Sequence, residues 1–194
     1  MAQMQSRPMS SPKSAQQMLE KEQNQALRDA LAITNKANPY FKWNFMLKRQ
    51  INTMRMMLYY QLKEFKKVDP LIDKSFIMDG RSIAIKAVRM YKNQDPAYDK
   101  YLAKKCRRAK GDDAVLLYAL YSWILVKEEK YELASAILAQ AKNRLDNPVL
   151  NANRENIVNG RIKHFSNANL GELWYSLYLE EPKIKQQRVV QRGY

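Results

Sequence analysis

The chain holds few side chains of the kinds that carry out catalysis, and they lie far apart. His164 is the only histidine and Cys106 the only cysteine among the 194 residues. A structural zinc site needs a set of such ligands, so the sequence predicts no metal cluster. Cys106 lies beside Lys105, Arg107 and Arg108, and neighbouring cations lower the pKa of a thiol. We still expect Cys106 to be an incidental residue of a basic helix and His164 to contact backbone in a loop.

Other sequence signatures of an enzyme are absent as well. The five glycines are scattered at positions 80, 111, 160, 171 and 193, so no glycine-rich phosphate-binding loop occurs. The adjacent acids Glu128-Glu129 and Glu180-Glu181 fall at predicted turn or helix-end positions, where solvation accounts for them. We therefore expect a protein that is not an enzyme, with no cofactor, no metal and no small-molecule substrate.

Positive charge is concentrated in one part of the chain. The net charge is +15, and residues 36–110 carry 19 Lys and Arg against 6 Asp and Glu, a local net charge of +13. Residues 111–182 carry 7 against 10, a local net charge of −3. A basic field of this size attracts nucleic acid, anionic lipid or an acidic protein surface, and the charge alone does not choose among them.

The clearest structural element is a helical hairpin over residues 112–148. An apolar run of thirteen residues, Ala114 to Val126, is followed by the charged turn at 127–130 and by a second helix with small residues at helical spacing. Thirteen residues fall short of the roughly 18 to 20 that span a bilayer, so we expect a buried core helix.

The surroundings of the protein can also be inferred from composition. One cysteine cannot form an intramolecular disulfide, and no secretory signal is visible before residue 30. We expect a reducing, cytoplasmic setting, with membrane association through a complex as an additional option.

Apolar periodicity and helix-breaking residues predict an all-α protein of eight or nine helices. Residues 1–13 are predicted to form a disordered tail, residues 14–182 a single α-helical repeat domain, and residues 183–194 a mobile basic tail. The predicted helices span about 14–35, 40–67, 70–78, 82–92, 97–109, the two helices of the hairpin, 148–158 and 170–179. Gly80 is predicted to end the helix that begins at Pro70.

Helix pairs recur with a period near 33 residues. In the hairpin, large and small residues alternate at helix-packing positions, namely Tyr131, Ala134, Leu138 and Ala141, followed by Pro148. This stretch resembles a tetratricopeptide repeat, and a similar frame lies 66 residues upstream at Phe65, Val68, Ile72 and Ser75. The sequence departs from the family where Tyr118 and Ser122 replace its usual Trp and Gly, and where Pro70 falls inside a helix.

The resemblance covers about residues 48–148 and implies antiparallel helix pairs stacked as a short tetratricopeptide-like solenoid. An N-terminal helix precedes this stack and a C-terminal capping helix follows, with Trp174, Tyr175, Leu177 and Tyr178 covering the last apolar edge. In that family the first helix of each pair lines a concave peptide-binding surface. The matching positions here are Thr53, Met57, Tyr60, Gln61, Lys86, Met90, Asn93, Ala119 and Trp123.

These observations lead us to expect a protein–protein interaction adaptor or scaffold subunit whose basic helix pairs bind an acidic partner surface or peptide. The residues expected to contact the partner are Tyr60, Gln61, Lys86, Arg89, Met90, Asn93, Lys104, Arg107 and Arg108. Nucleic acid is the main alternative, because these cations recur on neighbouring helical turns and could contact several phosphates. Docking on an anionic membrane through the same residues is a third option.

Overall fold

The structure is a computed structural model that describes residues 12–42 and 44–182. The predicted tails lie outside the described residues, apart from the backbone of residues 12 and 13. The described chain is all-α, as predicted, and contains no strand. It has nine α-helices: α1 Pro12–Asn35, α2 Phe45–Gln61, α3 Phe65–Ile72, α4 Gly80–Lys92, α5 Ala97–Cys106, α6 Gly111–Lys127, α7 Tyr131–Lys142, α8 Pro148–Val158 and α9 Glu172–Tyr175. Short 3-10 helices lie at Asn38–Lys42, Ile162–His164 and Ala168–Leu170.

The contacts divide the chain into two compact units. The N-terminal unit is Met1–Ile77, with α1 to α3, and the C-terminal unit is Met78–Tyr194, with α4 to α9. We describe each unit by itself. The sequence analysis expects one repeat domain over residues 14–182, and this stays a prediction.

One backbone motif ends four of the helices. After α2, α4, α6 and α8, a residue with positive φ is followed by an N–H that donates to the carbonyl five residues earlier. The positive-φ residues are Lys63, Gln94, Glu129 and Gly160, at φ 57°, 59°, 60° and 67°. The N–H donors are those of Glu64, Asp95, Lys130 and Arg161, at 2.9, 2.9, 2.8 and 2.7 Å from their acceptors. Each motif reverses the chain within three residues, so α2–α3, α4–α5 and α6–α7 are helical hairpins.

The turn at Lys63 corrects the predicted long helix over 40–67. α2 begins after Asn44, whose side chain accepts from the Leu47 N–H at 2.9 Å, and it ends at Gln61. The predicted break at Pro70 is also wrong, because Pro70 lies inside α3. A proline near the start of a short helix removes one backbone hydrogen bond, and that loss is tolerated here.

Gly80 begins α4, whereas the sequence analysis expects it to end a helix. The Asp79 side chain caps α4 by accepting from the Ser82 N–H at 2.9 Å. The Gly80 N–H donates to Asp113 Oδ2 of α6 at 2.9 Å, and a Cβ at Gly80 would lie 2.5 Å from Asp113 Cγ. Glycine is needed here because the first turn of α6 approaches the backbone so closely.

Two further helices are shorter than expected. α5 ends at Cys106 instead of about 109, and Arg144 donates to the carbonyls of Cys106 and Ala109 at 2.9 and 3.0 Å. These bonds satisfy carbonyls at a helix end. α9 spans only Glu172–Tyr175, because positive φ angles at Gly171 and Tyr178 interrupt the predicted helix over 170–179.

α6 is the core of the C-terminal unit, and its prediction as a buried helix is confirmed. Every residue from Ala114 to Leu125 is buried, with α4, α5 and α7 packed around them. The C-terminal segment also covers α6. The Trp123 and Trp174 rings are 5.9 Å apart, and each indole N–H donates to the Glu180 carboxylate at 2.8 Å.

The N-terminal unit is held together by polar contacts of α2. Arg55 donates to the carbonyl and the hydroxyl of Thr34 at 2.9 Å, which ties α2 to the end of α1. Arg49 donates to the carbonyl of Ser75 at 2.8 Å, and Asn52 donates to that of Lys74 at 3.1 Å. The chain after α3 is therefore fastened to α2 by side chains that contact backbone.

The helix-ending motif makes a testable prediction about stability. We expect Gln94→Gly to raise the free energy of unfolding by about 0.5 to 1 kcal/mol, because a left-handed conformation costs an L-residue about 1 kcal/mol or more and glycine avoids it. Urea unfolding followed by circular dichroism would measure the change. The control Lys92→Gly lies in the right-handed last turn of α4 and should lower stability by about 1 kcal/mol. Equal changes in both variants would contradict the assignment.

Candidate interaction surface

Four cations gather around one tyrosine where α4 meets α5. Lys86 Nζ lies 5.7 Å from the centroid of the Tyr101 ring, and Lys105 Nζ lies 5.6 Å from the same centroid. The positive charges of Arg108 and Lys104 also act on Lys105. We call these five residues the Tyr101 cluster.

The ring of Tyr101 is bracketed by cations, and its hydroxyl is unusually placed. The hydroxyl oxygen is buried and has no hydrogen-bond partner among the described residues. Burial raises the pKa of Tyr101 to about 12, so the phenol keeps its proton and remains a hydrogen-bond donor at neutral pH. An acceptor oxygen brought to this position would satisfy the phenol and contact cations at the same time.

The amine of Lys105 is destabilised in its charged form. Its pKa is lowered, first by burial and then by the positive charges of Arg108, Lys104 and Lys86. A bound anion would reverse the repulsion among these charges. The cluster therefore has the electrostatics of an anion-binding surface.

The acids of this region are engaged elsewhere. Residues 78–110 carry ten Lys and Arg against three Asp and Glu. Asp79 accepts from the N–H of Ser82, Asp95 from the N–H of Ala97 and Asp99 from the hydroxyl of Tyr121, at 2.9, 2.9 and 2.7 Å. Two of these carboxylates support backbone turns and the third holds α5 to α6, which leaves the basic residues in excess.

The remaining predicted residues of α4 extend the cluster along one face. Arg89, Met90 and Asn93 follow Lys86 at intervals of three, four and seven residues, so all four share a face of the helix. Arg89 Nη2 donates to Asn93 Oδ1 at 3.3 Å. Met90 is half-buried and adds an apolar contact beside the charges.

Arg107 and Arg108 follow the end of α5. Both are exposed, and Arg107 Nε donates to the carbonyl of Ala103 at 3.1 Å. Lys104, in the last turn of α5, is also exposed. These three side chains form the most accessible part of the basic surface.

Tyr60 is a correction to the predicted contact residues. Its side chain is 1% exposed and its ring packs against Phe65 at 5.3 Å between centroids. The reversal at Lys63 brings α3 back onto α2 and covers Tyr60. Gln61 is half-buried, and both residues belong to the N-terminal unit, whereas the other predicted contacts belong to the C-terminal unit.

Ala119 and Trp123, implied as peptide contacts by the family resemblance, are covered by the chain itself. Ala119 is fully buried, and its carbonyl accepts from Asn167 Nδ2 at 3.1 Å. Trp123 is 5% exposed and packs against Trp174 of the C-terminal segment. These positions belong to the core, because the segment after α8 folds back over α6.

Sequence analysis missed Tyr101 and Lys105 as members of the surface. Their spacing of four residues on α5 places them on one face, and this is the only local signal that links them. The approach of Lys86 comes from another helix and has no counterpart in local periodicity.

Cys106 departs from the expected effect of its basic neighbours. The thiol is 1% exposed, and burial raises its pKa to about 12, which outweighs the opposing positive charge of Arg144. His164, expected in a loop, ends a 3-10 turn and is exposed. Its backbone carbonyl accepts from Asn156 Nδ2 at 3.1 Å.

A cavity of about 380 Å³ lies at the other end of α5. Its two carboxylates, Asp99 and Glu128, already bind groups of the protein. Tyr98 donates to Glu128 at 2.5 Å, and Lys130 pairs with the second oxygen of Glu128 at 2.7 Å. The cavity therefore stabilises the junction of α5 and α6.

Two searches of the described residues were negative. They contain no group of three or more His, Cys, Asp or Glu side chains placed to hold a metal ion. Within the same residues, none of the helices combines the length and the apolar character that a membrane span requires.

The burial of Cys106 predicts slow thiol chemistry. At pH 8 we expect a thiol reagent to modify native Cys106 at least about 100-fold more slowly than in urea, because the thiolate is scarce and covered. Adding an exposed thiol through Asn169→Cys should give one fast and one slow equivalent in the same sample. Two fast equivalents in the folded protein would show that the site is open.

The same pKa predicts a dependence of stability on pH. The folded state binds the thiol proton more tightly than the unfolded state, whose thiol pKa is near 9.0. The stability contributed by this group is complete below pH 9 and is lost as the pH rises toward 12. Urea unfolding between pH 7 and pH 11 should show stability falling above pH 9, and a flat profile would contradict the shift.

Comparisons with models of known protein families, with curated proteins and with solved structures found no match to this chain. The all-helical fold is observed, while the resemblance of residues 48–148 to tetratricopeptide repeats stays a prediction.

Proposed function

We propose that the protein is a non-catalytic adaptor or scaffold subunit that binds an acidic surface or peptide of another protein. The Tyr101 cluster, together with Arg89 and Arg107, is the contact surface. The observation that carries this proposal is the placement of Lys86 and Lys105 around Tyr101. The adaptor acts in the cytoplasm, within a larger complex.

An acidic protein segment matches each part of the surface. Its carboxylates neutralise the mutual repulsion among the cations, and one carboxylate oxygen can accept from the buried hydroxyl of Tyr101. The half-buried Met90 lies on the same face of α4 and contributes apolar contact to a peptide. Cations with adjoining apolar groups favour a polypeptide over a bare polyanion.

Nucleic acid is the second candidate, because Lys104, Arg107 and Arg108 are exposed on adjoining turns and could contact phosphates. Base stacking has less support. Tyr98 is 7% exposed and packs on Tyr91, with ring centroids 5.7 Å apart. Binding of this kind would rest on the phosphate backbone and would be independent of sequence. An anionic membrane is the third candidate, through the same exposed cations.

The test uses the full chain with two variants of equal charge. The triple reversal Lys104→Glu, Arg107→Glu and Arg108→Glu removes the accessible cations of the surface. The control Lys142→Glu, Arg161→Glu and Lys163→Glu changes the net charge by the same amount at exposed positions elsewhere in the C-terminal unit. We expect the surface variant to lose at least about 90% of partner recovery in quantitative co-purification, with the control unchanged, because buried or clustered charge contacts contribute several-fold each.

Equal recovery with both variants would overturn the proposed surface. The nucleic-acid alternative is tested with a mixed-sequence oligonucleotide at about 50 mM salt, where phosphate contacts are strongest. The membrane alternative is tested by flotation with phosphatidylserine vesicles. Loss of oligonucleotide or vesicle binding in the surface variant alone, without a protein partner in the co-purified material, would replace the acidic partner by that ligand.

A further inference from the structure

The N-terminal unit contains an open apolar groove that the function proposed for the C-terminal unit does not use. It runs between α1 and α2 and encloses about 630 Å³. Its lining is apolar except for Thr34, Gln61 and Lys36, and Lys36 is its only charged residue. We call it the α1–α2 groove.

Large apolar side chains of the groove are left open to solvent by the described chain. Ile33 on α1 is 64% exposed and Met54 on α2 is 54% exposed. Ile51, Met57 and Leu58 lie half-buried between them. A contiguous apolar patch of this kind marks an interaction site in a folded protein.

The walls of the groove are held in place by hydrogen bonds that do not involve its apolar side chains. Arg55 binds the carbonyl and hydroxyl of Thr34 at 2.9 Å and also the side chain of Asn38 at 2.7 Å. The guanidinium lies 5.5 Å from the centroid of the Phe41 ring. These contacts fix α1 against α2, so the groove is preformed and its occupant does not have to separate the helices.

The dimensions fit a short helix. From Ile51 to Gln61 the α2 wall rises about 15 Å, which is close to three helical turns. A helix that lies in such a groove inserts apolar residues at positions i, i+3, i+4 and i+7, which span about 10 Å. The flexible side chains of Met54 and Met57 can adjust to the shape of these residues.

Charge indicates which helix would bind. α2 carries Lys48, Arg49 and Arg55 and no acid, and Lys36 lies at one end of the groove. The segment 12–77 as a whole has 12 Lys and Arg against 6 Asp and Glu, a net charge of +6. A second copy of the chain would bring the same positive charge to the groove and would be repelled, whereas a helix flanked by acids would be attracted.

We propose that the α1–α2 groove binds an amphipathic helix of a partner protein, whose apolar face enters the groove and whose flanking residues are acidic. The partner contacts Ile33 and Met54 with its apolar face and places carboxylates near Lys36 and Lys48. The groove lies in a different unit from the Tyr101 cluster, so either proposal can fail while the other stands.

The experiment uses the full chain and a synthetic probe. The probe is an 18-residue helical peptide with leucine at the i, i+3, i+4 and i+7 positions of each two turns and glutamate at the flanking positions. Fluorescence anisotropy of the labelled peptide measures its dissociation constant. A second peptide with lysine in place of every glutamate controls for charge, and a scrambled peptide of the first composition controls for the apolar stripe.

Variants at exposed positions of one helix separate the groove from the rest of α2. Met54→Glu places a charge in the groove, and Met46→Glu places the same charge at a position that is 48% exposed and outside the groove lining. We expect Met54→Glu to weaken binding of the glutamate peptide at least tenfold and Met46→Glu to change it less than twofold. Ile33→Glu on the opposite wall should act like Met54→Glu. Circular dichroism checks that each variant keeps its helix content.

Each other result overturns the proposal. Equal affinity of Met54→Glu and Met46→Glu, or equal binding of the glutamate, lysine and scrambled peptides, would exclude a groove-specific acidic helix. A dimer in sedimentation equilibrium that Met54→Glu converts to a monomer would assign the groove to a second copy. Flotation with phosphatidylserine vesicles that Met54→Glu abolishes, with no binding of the glutamate peptide, would assign it to a membrane.

Discussion

The burial of α6 on all sides is the constraint on which the C-terminal unit depends. A helix with no polar face cannot contact water without a large free-energy cost, so other elements must cover it completely. α4, α5 and α7 supply most of that cover, and Trp174 with Glu180 supplies the rest. The C-terminal segment is therefore part of the core, which explains why Trp123 does not reach solvent.

This burial also determines where the charges lie. α4 uses its apolar residues against α6, and its cations are left on the outward face, where Lys86 meets α5. α5 buries Leu102 and Cys106 and turns Lys104 outward. The basic surface is a consequence of packing two cation-rich helices onto an apolar one, and the contacts of Asp79, Asp95 and Asp99 remove the acids that would balance it.

The N-terminal unit is stabilised in a different way. α2 has three buried residues in seventeen, and polar side chains such as Arg55 and Asn52 hold its neighbours through backbone carbonyls. Bonds of this kind are directional and satisfy helix ends, so α1 and α2 can be fixed without complete burial of the apolar residues between them. The open groove follows from this economy of packing.

The sequence by itself determined the helical class, the buried character of α6 and the span of α8 from its Asn147-Pro148 start. Each of these depends on residues close together in the chain: an uninterrupted apolar run, a cap and a proline at the first helical turn. The tertiary structure decided the reversal at Lys63, the burial of Tyr60 and Cys106, and the meeting of Lys86, Tyr101 and Lys105. Helical periodicity fixes which residues share a face of one helix, but contacts between helices set which face is covered and which cations meet.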